Sequence, residues 1–223
     1  MTRLSTLEVY ERWAPSYRAE PHNPLMAAEQ VAMLARLPDL AGRVVLDLAC
    51  GTGRYAQLAL RAGATRVVAL DNCTAMLARA AGLDRVRADM TRLPFRDCTF
   101  DVVVSGLALG HASDLARCMT EIARVLRPAG VLQYSDFHHE AGRRGLGRSF
   151  RDGDGTRHTL PADGYDVGQH REALRSAGLV DIELHEIRAG HELNGPFPGA
   201  EEFYREWHGT PMVLVVRARR GES

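Results

Sequence analysis

Lysine is absent from the 223 residues, so every one of the 28 basic side chains is an arginine. Chemistry that needs a Schiff-base amine or a P-loop lysine is thereby excluded. Net charge is missing as well. The 28 arginines are balanced by 28 acidic residues at pI ≈ 7.1, so no overall electrostatic footprint draws the chain to a phosphate backbone or an anionic bilayer. Cysteine is scarce: Cys50, Cys73, Cys98 and Cys118 stand far apart and form no C-x-x-C pair. That pattern signals neither a zinc knuckle nor a dithiol redox site, and it fits a reduced, cytoplasmic setting. No apolar run approaches the roughly 18 residues of a membrane span. Positions 1–20 carry Glu8, Glu11 and Glu20 where a targeting sequence would be apolar, so the chain reads as soluble and unprocessed.

What is present is an alternation of short aliphatic runs with helix-like stretches, over a length suited to one domain. Runs at 43–48, 66–70, 85–88, 100–106 and 130–134 are β-branched or aliphatic, as in strands buried on both faces. Helical patterns fall at 54–61, 74–81 and 113–126, which predicts an α/β fold with a parallel sheet under helices. Two amphipathic segments, 6–14 and 25–37, precede the first strand. Residues 136–166 are rich in Gly, Arg, His and Asp without a period, and read as an insertion or cap. A helix at 167–177 and strands at 181–187 and 212–216 follow.

The densest chemistry lies in Val44-Val-Leu-Asp47-Leu-Ala49-Cys-Gly51-Thr-Gly53-Arg-Tyr-Ala56, a strand running through a glycine turn into a helix. Gly51 and Gly53 let backbone approach a ligand whose negative end meets the helix-start amides. Gly51-x-Gly53-x-x-Ala56 also satisfies the dinucleotide fingerprint, so the loop alone does not choose between adenosine ligands. Asp47 does. A carboxylate four residues before Gly51 would repel a pyrophosphate and attract a ligand bearing an ammonium and a sulfonium, such as S-adenosylmethionine. The plainer alternative is that Asp47 caps the turn or the helix.

Further carboxylates follow in series. Asp71 ends the second strand about 20 residues past the turn, where it can accept from ribose hydroxyls or cap the next helix. Asp89 follows the third strand, placed to accept from an adenine amino group with Met90 along the ring. A nicotinamide-dependent oxidoreductase is the rival reading, but the Tyr-x-x-x-Lys pair of short-chain dehydrogenases cannot exist without lysine. A non-catalytic module that binds the same cofactor is a second rival.

Taken in order, Val45-Leu-Asp-Leu-Ala-Cys-Gly-Thr-Gly, Val68-Ala-Leu-Asp-Asn with Met76-Leu, Ala88-Asp-Met-x-x-Leu-Pro-Phe95, Phe100-Asp-Val-Val-Val-Ser and Val125-Leu-Arg-Pro-x-Gly130 resemble the class I S-adenosylmethionine-dependent methyltransferases. The likeness covers about 10–130 and is closest to quinone C-methyltransferases and malonyl-thioester O-methyltransferases. It implies a Rossmann-like, doubly wound, seven-stranded, mostly parallel sheet with an antiparallel last strand and helices on both faces. It also implies one domain over 1–223, divided into a helical lid (1–40), a cofactor-binding half (41–136), a substrate cap (137–166) and a C-terminal sheet half (167–223). Residue by residue, Ala49, Gly51 and Gly53 would cradle the methionine end and Asp71 would hold the ribose. Asn72 and Met76 would lie beside the adenine, Asp89 and Met90 on its edge, and Ser105 to Leu107 would face the sulfonium and substrate. Ala49 before Cys50 and Ala129 after Pro128 depart from the commoner glycines of the pattern.

Methyl transfer from a sulfonium is an in-line displacement that leans on alignment and exclusion of water. Tyr10, Trp13 and Tyr17 share a helical face. Tyr10 and Trp13 read as packing, and Tyr17, in Trp13-Ala-x-x-Tyr17, resembles the element that folds over the cofactor. His111 and the His138-His139 pair, of which His138 is taken as the catalytic member, are the candidate bases at the sheet's carboxyl edge. No metal is expected. Arg143, Arg144, Arg148 and Arg151 in the cap read either as solvated charges balanced by Asp152 and Asp154 or as a clamp for an anionic small-molecule acceptor. His191, Asn194, Phe197 and Phe203 are candidates to complete the acceptor pocket. Without a basic face or an Asn-Pro-Pro-Tyr-type motif, nucleic acid is not expected as a partner, nor is a membrane. A monomer or a homodimer is expected.

Overall fold

The computed structural model describes residues 4–161, 164–190 and 200–222. Two helices, α1 (Thr6–Trp13) and α2 (Pro24–Leu34), precede the sheet. Each starts where its sequence supplies a cap: Ser5 and Glu8 form a capping box on α1, and Asn23 accepts from the Met26 amide ahead of Pro24 on α2. There follow β1 (Val44–Leu48), α3 (Arg54–Arg61), β2 (Arg66–Asp71), α4 (Thr74–Arg79), β3 (Asp84–Arg87), β4 (Phe100–Gly106), α5 (Leu115–Val125) and β5 (Leu126–Phe137). Then come α6 (His139–Arg143), β6 (Gly147–Arg151), β7 (Arg157–Pro161), α7 (Val167–Ser176), β8 (Leu179–Arg188), α8 (Ala200–Trp207) and β9 (Pro211–Arg220).

The main sheet runs in the order β3-β2-β1-β4-β5-β9-β8, with β9 antiparallel to both neighbours and the other pairs parallel. Strand alternation divides the core into two. Val45, Val67, Val102, Val104 and Val215 face α2 and α3, whereas Leu46, Val68, Val103, Leu132 and Val216 face α5 and α7. The order reverses between β1 and β4, where ligands of open α/β sheets gather at the strands' carboxyl ends.

Two regions differ from their sequence expectations. Strand β5 is longer than 130–134 because Leu126 already pairs with Phe100. The next pair is Val102 with Val131, and the intervening residues loop out with Ala129 left-handed at φ 59°. The cap is not featureless: β6 and β7 form a two-stranded hairpin. Its charged, glycine-rich composition hid an alternation that puts Phe150 and Leu160 on one face, against Val9 and Trp13 of α1.

Phe150 stacks flat on Trp13, ring centroids 4.8 Å apart. Hairpin and α1 thus share a small core of their own, apart from the sheet. Glu11 accepts from the Thr74 amide at 2.9 Å and ties α1 to the start of α4, while Arg79 grips the carbonyls of Ala14 and Pro15. Phe150→Ala is expected to cost on the order of 3 kcal/mol of local packing. Proteolysis within 147–161 should quicken while the unfolding midpoint of the sheet holds; equal proteolysis rates would show that the stack does not hold the hairpin.

Candidate functional site

A cleft with about 920 Å³ of free space, its mouth included, opens at the carboxyl ends of β1, β2 and β4. Its floor is the β1–α3 loop, where Ala49 (φ 53°) and Gly51 (φ 56°) take left-handed conformations. A Cβ on Gly51 would meet nothing within 4 Å, so the backbone there lies open to the cleft. Gly106 is glycine for a different reason: a Cβ would fall 2.3 Å from the Tyr55 ring.

The carboxylates of this loop are structural first. Asp47 is 1% exposed, and its Oδ2 accepts from the Ala56 amide of α3 at 2.7 Å. Its Oδ1 is buried without a partner, and Asp47 lines the cleft. The helix-capping alternative for Asp47 therefore holds on one oxygen while the other stays available. Burial pushes its carboxyl up to about 7, against the opposing pull of the Ala56 amide. Asp71 accepts from the Gly51 amide and from the Cys73 amide, each at 2.8 Å. Burial raises its carboxyl too.

Among the residues singled out in the sequence, Tyr17, Asp47, Ala49, Gly51, Asp71, Asn72, Met76, Met90, Leu107 and His111 line this one cleft. Gly53, Asp89, Ser105 and His138 do not. Gly53 is the left-handed N-cap of α3 (φ 86°), shaping the loop from outside the cleft. Asp89 is exposed and closes its own turn, accepting from the Thr91 amide and hydroxyl at 2.7 and 2.6 Å. Ser105 is fully buried beneath the cleft with its hydroxyl unpaired.

The two candidate bases are corrected. His138 is 4% exposed; its Nδ1 accepts from the Glu140 amide to cap α6, and its Nε2 stands 3.4 Å from Glu186, so it is not an acceptor-facing base. His111 does line the cleft, but Nη2 of Arg148 donates to its Nε2, and the Tyr10 hydroxyl lies 3.4 Å from the same nitrogen. Since a guanidinium only donates, Nε2 is an acceptor and the ring is neutral. Burial, reinforced by the Arg148 charge, depresses the imidazole to about 3. With its Nε2 lone pair engaged by Arg148, the imidazole is held as an acceptor and not as a free base.

Two lining residues, Tyr10 and Arg148, and a buried acid behind them were missed or misread in the sequence. Tyr10, read as packing, presents its hydroxyl to Arg148 at 2.5 Å. Of the four cap arginines only Arg148 turns inward. Arg143 is exposed, Arg144 binds Thr210 and the Glu206 carbonyl, and Arg151 bonds the Gly155 carbonyl, while Asp152 pairs with His158. Glu29 was overlooked. It is 0% exposed on α2 and accepts from Tyr55 Oη at 2.6 Å, Ser135 Oγ at 2.5 Å and Arg54 Nη2 at 2.9 Å. The signal was an acid within the apolar run 25–34.

A second cavity, about 1060 Å³ with its mouth, adjoins the cleft and shares Tyr17, Met26, Leu107 and Arg148 as walls. Phe203 lines it; His191, Asn194 and Phe197 lie outside the described residues. Among the described residues no three metal-ligating side chains come together, and no helix is long and apolar enough to cross a membrane.

A methyltransferase-domain family model matches residues 46–133. A malonyl-[acyl-carrier protein] O-methyltransferase of Dechloromonas aromatica is 35% identical over 182 residues, which cover 78% of this chain and 65% of that protein. One of the same name from Methylovorus is 30% identical over 236 residues, covering 94% of this chain and 79% of that protein. The chain thus spans just under two thirds of the first relative's length. The solved S-adenosylmethionine-dependent methyltransferase of Mesorhizobium loti superposes with a TM-score of 0.70 at 29% identity, covering 87% of this chain and 98% of that one. The chain belongs to the class I S-adenosylmethionine-dependent methyltransferases.

The cofactor of this family is S-adenosylmethionine, and the cleft suits it. A loop backbone open at Gly51 and an unpaired Asp47 oxygen offer close approach and a charge for an ammonium group. Buried with one oxygen unpaired, the ionised Asp47 is a liability that the Arg54 charge offsets only in part. As its folded-state value lies above that of an exposed aspartate, the penalty accrues as pH rises from the ordinary carboxylate range to about 7 and is constant above that. Asp47→Asn is expected to raise the unliganded methyltransferase's melting temperature by a few degrees more at pH 8 than at pH 4. An equal effect at both would show that the charge is not what costs.

Proposed function

We propose that this methyltransferase transfers the methyl group to a carboxylate oxygen of a small acceptor, a malonyl group borne on a thioester. The observation that carries the reading is the engaged state of His111 beside Arg148. A phenol or alcohol acceptor would need a base to take its proton, and this imidazole cannot serve. An ammonium acceptor would meet the like charge of Arg148. A carboxylate arrives already ionised and is drawn by the guanidinium. The names of both relatives above agree with this acceptor.

In this reading Asp47 holds the ammonium end of the cofactor, and the Ala49–Gly51 backbone lies under its methionine part. Asp71 accepts from the ribose with the lone pairs that Gly51 and Cys73 leave free. Asn72, Met76 and Met90 wall the adenine, and Tyr17 and Tyr10 close the cleft from the lid. When bound, S-adenosylmethionine supplies a methyl group on a cationic sulfur that departs as a neutral thioether with the bonding electron pair, so an ester forms and no proton has to move. The chain's share is alignment, exclusion of water and charge placement.

Asp71→Ala should weaken binding of S-adenosylhomocysteine by about 1–3 kcal/mol through loss of charge-assisted bonds; unchanged affinity by calorimetry would remove Asp71 from the cofactor site. For the acceptor, the purified protein is offered malonyl-pantetheine, a catechol and a primary amine with the cofactor, and products are read by mass. A 14-dalton gain on the malonyl thioester alone is expected. Methylation of only the catechol or the amine would overturn the carboxylate reading.

A further inference from the structure

We infer that Arg148 is the anchor that selects the acceptor by its carboxylate, holding that group at the neck between the cofactor cleft and the second cavity. The assignment rests on the carboxylate reading above and names the side chain and the place in the fold that enforce it.

Arg148 leaves β6 half-buried and lines both cavities. Its fork is held by neutral partners only. Nη1 donates to Tyr10 Oη at 2.5 Å and to the Leu107 carbonyl at 3.3 Å, and Nη2 donates to His111 Nε2. The guanidinium carbon stands 4.5 Å from the centre of the Phe137 ring. Among the described residues no carboxylate lies within ion-pairing distance of it, although other buried cations here, such as Arg54 on Glu29, have one. Asp136, buried at the end of β5, feels the charge without a bond to it.

A guanidinium has five N–H groups, and these contacts use three. Those on Nε and Nη2 remain, and Nε is buried with no partner. They sit on neighbouring atoms of the fork, the spacing that two carboxylate oxygens fit. A half-buried cation with its fork fixed and no carboxylate paired to it has room for an anion from outside. Beyond the neck, Trp13, Leu25, Phe137, Leu146 and Phe203 give the second cavity apolar walls for the uncharged remainder of the acceptor. His111 and Tyr10 are then positioning residues that aim the fork.

The test measures malonyl-pantetheine methylation by wild type, Arg148→Gln and Arg148→Lys, with calorimetric binding of S-adenosylhomocysteine to each as the check on fold and cofactor site. The expected result is a KM at least 30-fold higher in Arg148→Gln, with kcat within fivefold, partial recovery in Arg148→Lys and S-adenosylhomocysteine affinity within threefold throughout. An unchanged KM in Arg148→Gln with an active wild type would overturn the anchor and leave carboxylate methylation standing. Wild type methylating only uncharged acceptors would overturn both. Loss of S-adenosylhomocysteine affinity in both variants would make Arg148 a support of the cofactor site and overturn the anchor.

Discussion

Two buried carboxylates hold the loops at the strand ends, and the site exists because they do. Asp47 closes the β1–α3 turn through the Ala56 amide, and Asp71 spans from β2 to both the Gly51 and Cys73 amides. Each sits at a strand's carboxyl end, where the backbone must turn and leave amides unsatisfied. A side-chain oxygen meets that need with two lone pairs, so a carboxylate can brace a loop and keep capacity for a ligand. Burial raises both carboxyls. That is the electrostatic cost of holding acidic groups in a cleft before a cation arrives.

The helices ahead of the sheet depend on a further buried acid. Glu29 gathers Tyr55 from α3, Ser135 from β5 and the Arg54 guanidinium at one point on α2. The segment ahead of the sheet is thereby fastened to the cofactor half by charge-assisted bonds in a water-free place, where removing one partner is costly. Further out, α1 and the β6–β7 hairpin lean on each other through Trp13 and Phe150. The firm attachment lies near the sheet and the lighter one at the rim.

Strand and helix periods made the sheet half legible. Residues 54–61 and 100–106 form their elements with the expected bounds, because aliphatic alternation and the glycine turn are local signals. The hairpin was not legible, since its apolar face is completed by Trp13 and Val9 from the far end of the chain. Site residues divide in the same way. Asp47, Gly51 and Asp71 announce themselves by spacing along successive strands. Asp89 fits that spacing and yet turns to Thr91, because an aspartate beside a hydroxyl and an open amide finds its partners locally. Arg148 among its neighbours, and the engaged state of His111, depend on contacts 37 to 138 residues apart in sequence, which no local pattern carries.

The cofactor cleft holds buried carboxylates and the neck holds a guanidinium, and that bears on the reaction. The cofactor cleft carries Asp47 and Asp71 along with Arg18 and Arg54, the neck carries Arg148, and the rings of Trp13, Phe137 and Phe203 line the second cavity. For a cationic donor and an anionic acceptor, each side neutralises one reactant, so both are held without bulk water. The reaction itself cancels charge, since sulfonium and carboxylate become thioether and ester. A medium of low polarity favours the less charged transition state. An unionised acceptor gains nothing from this arrangement: its proton would have no base to go to at His111, and the departing positive charge would remain beside Arg148. In the proposed carboxylate methylation both the engaged imidazole and a guanidinium with no carboxylate paired to it are assets.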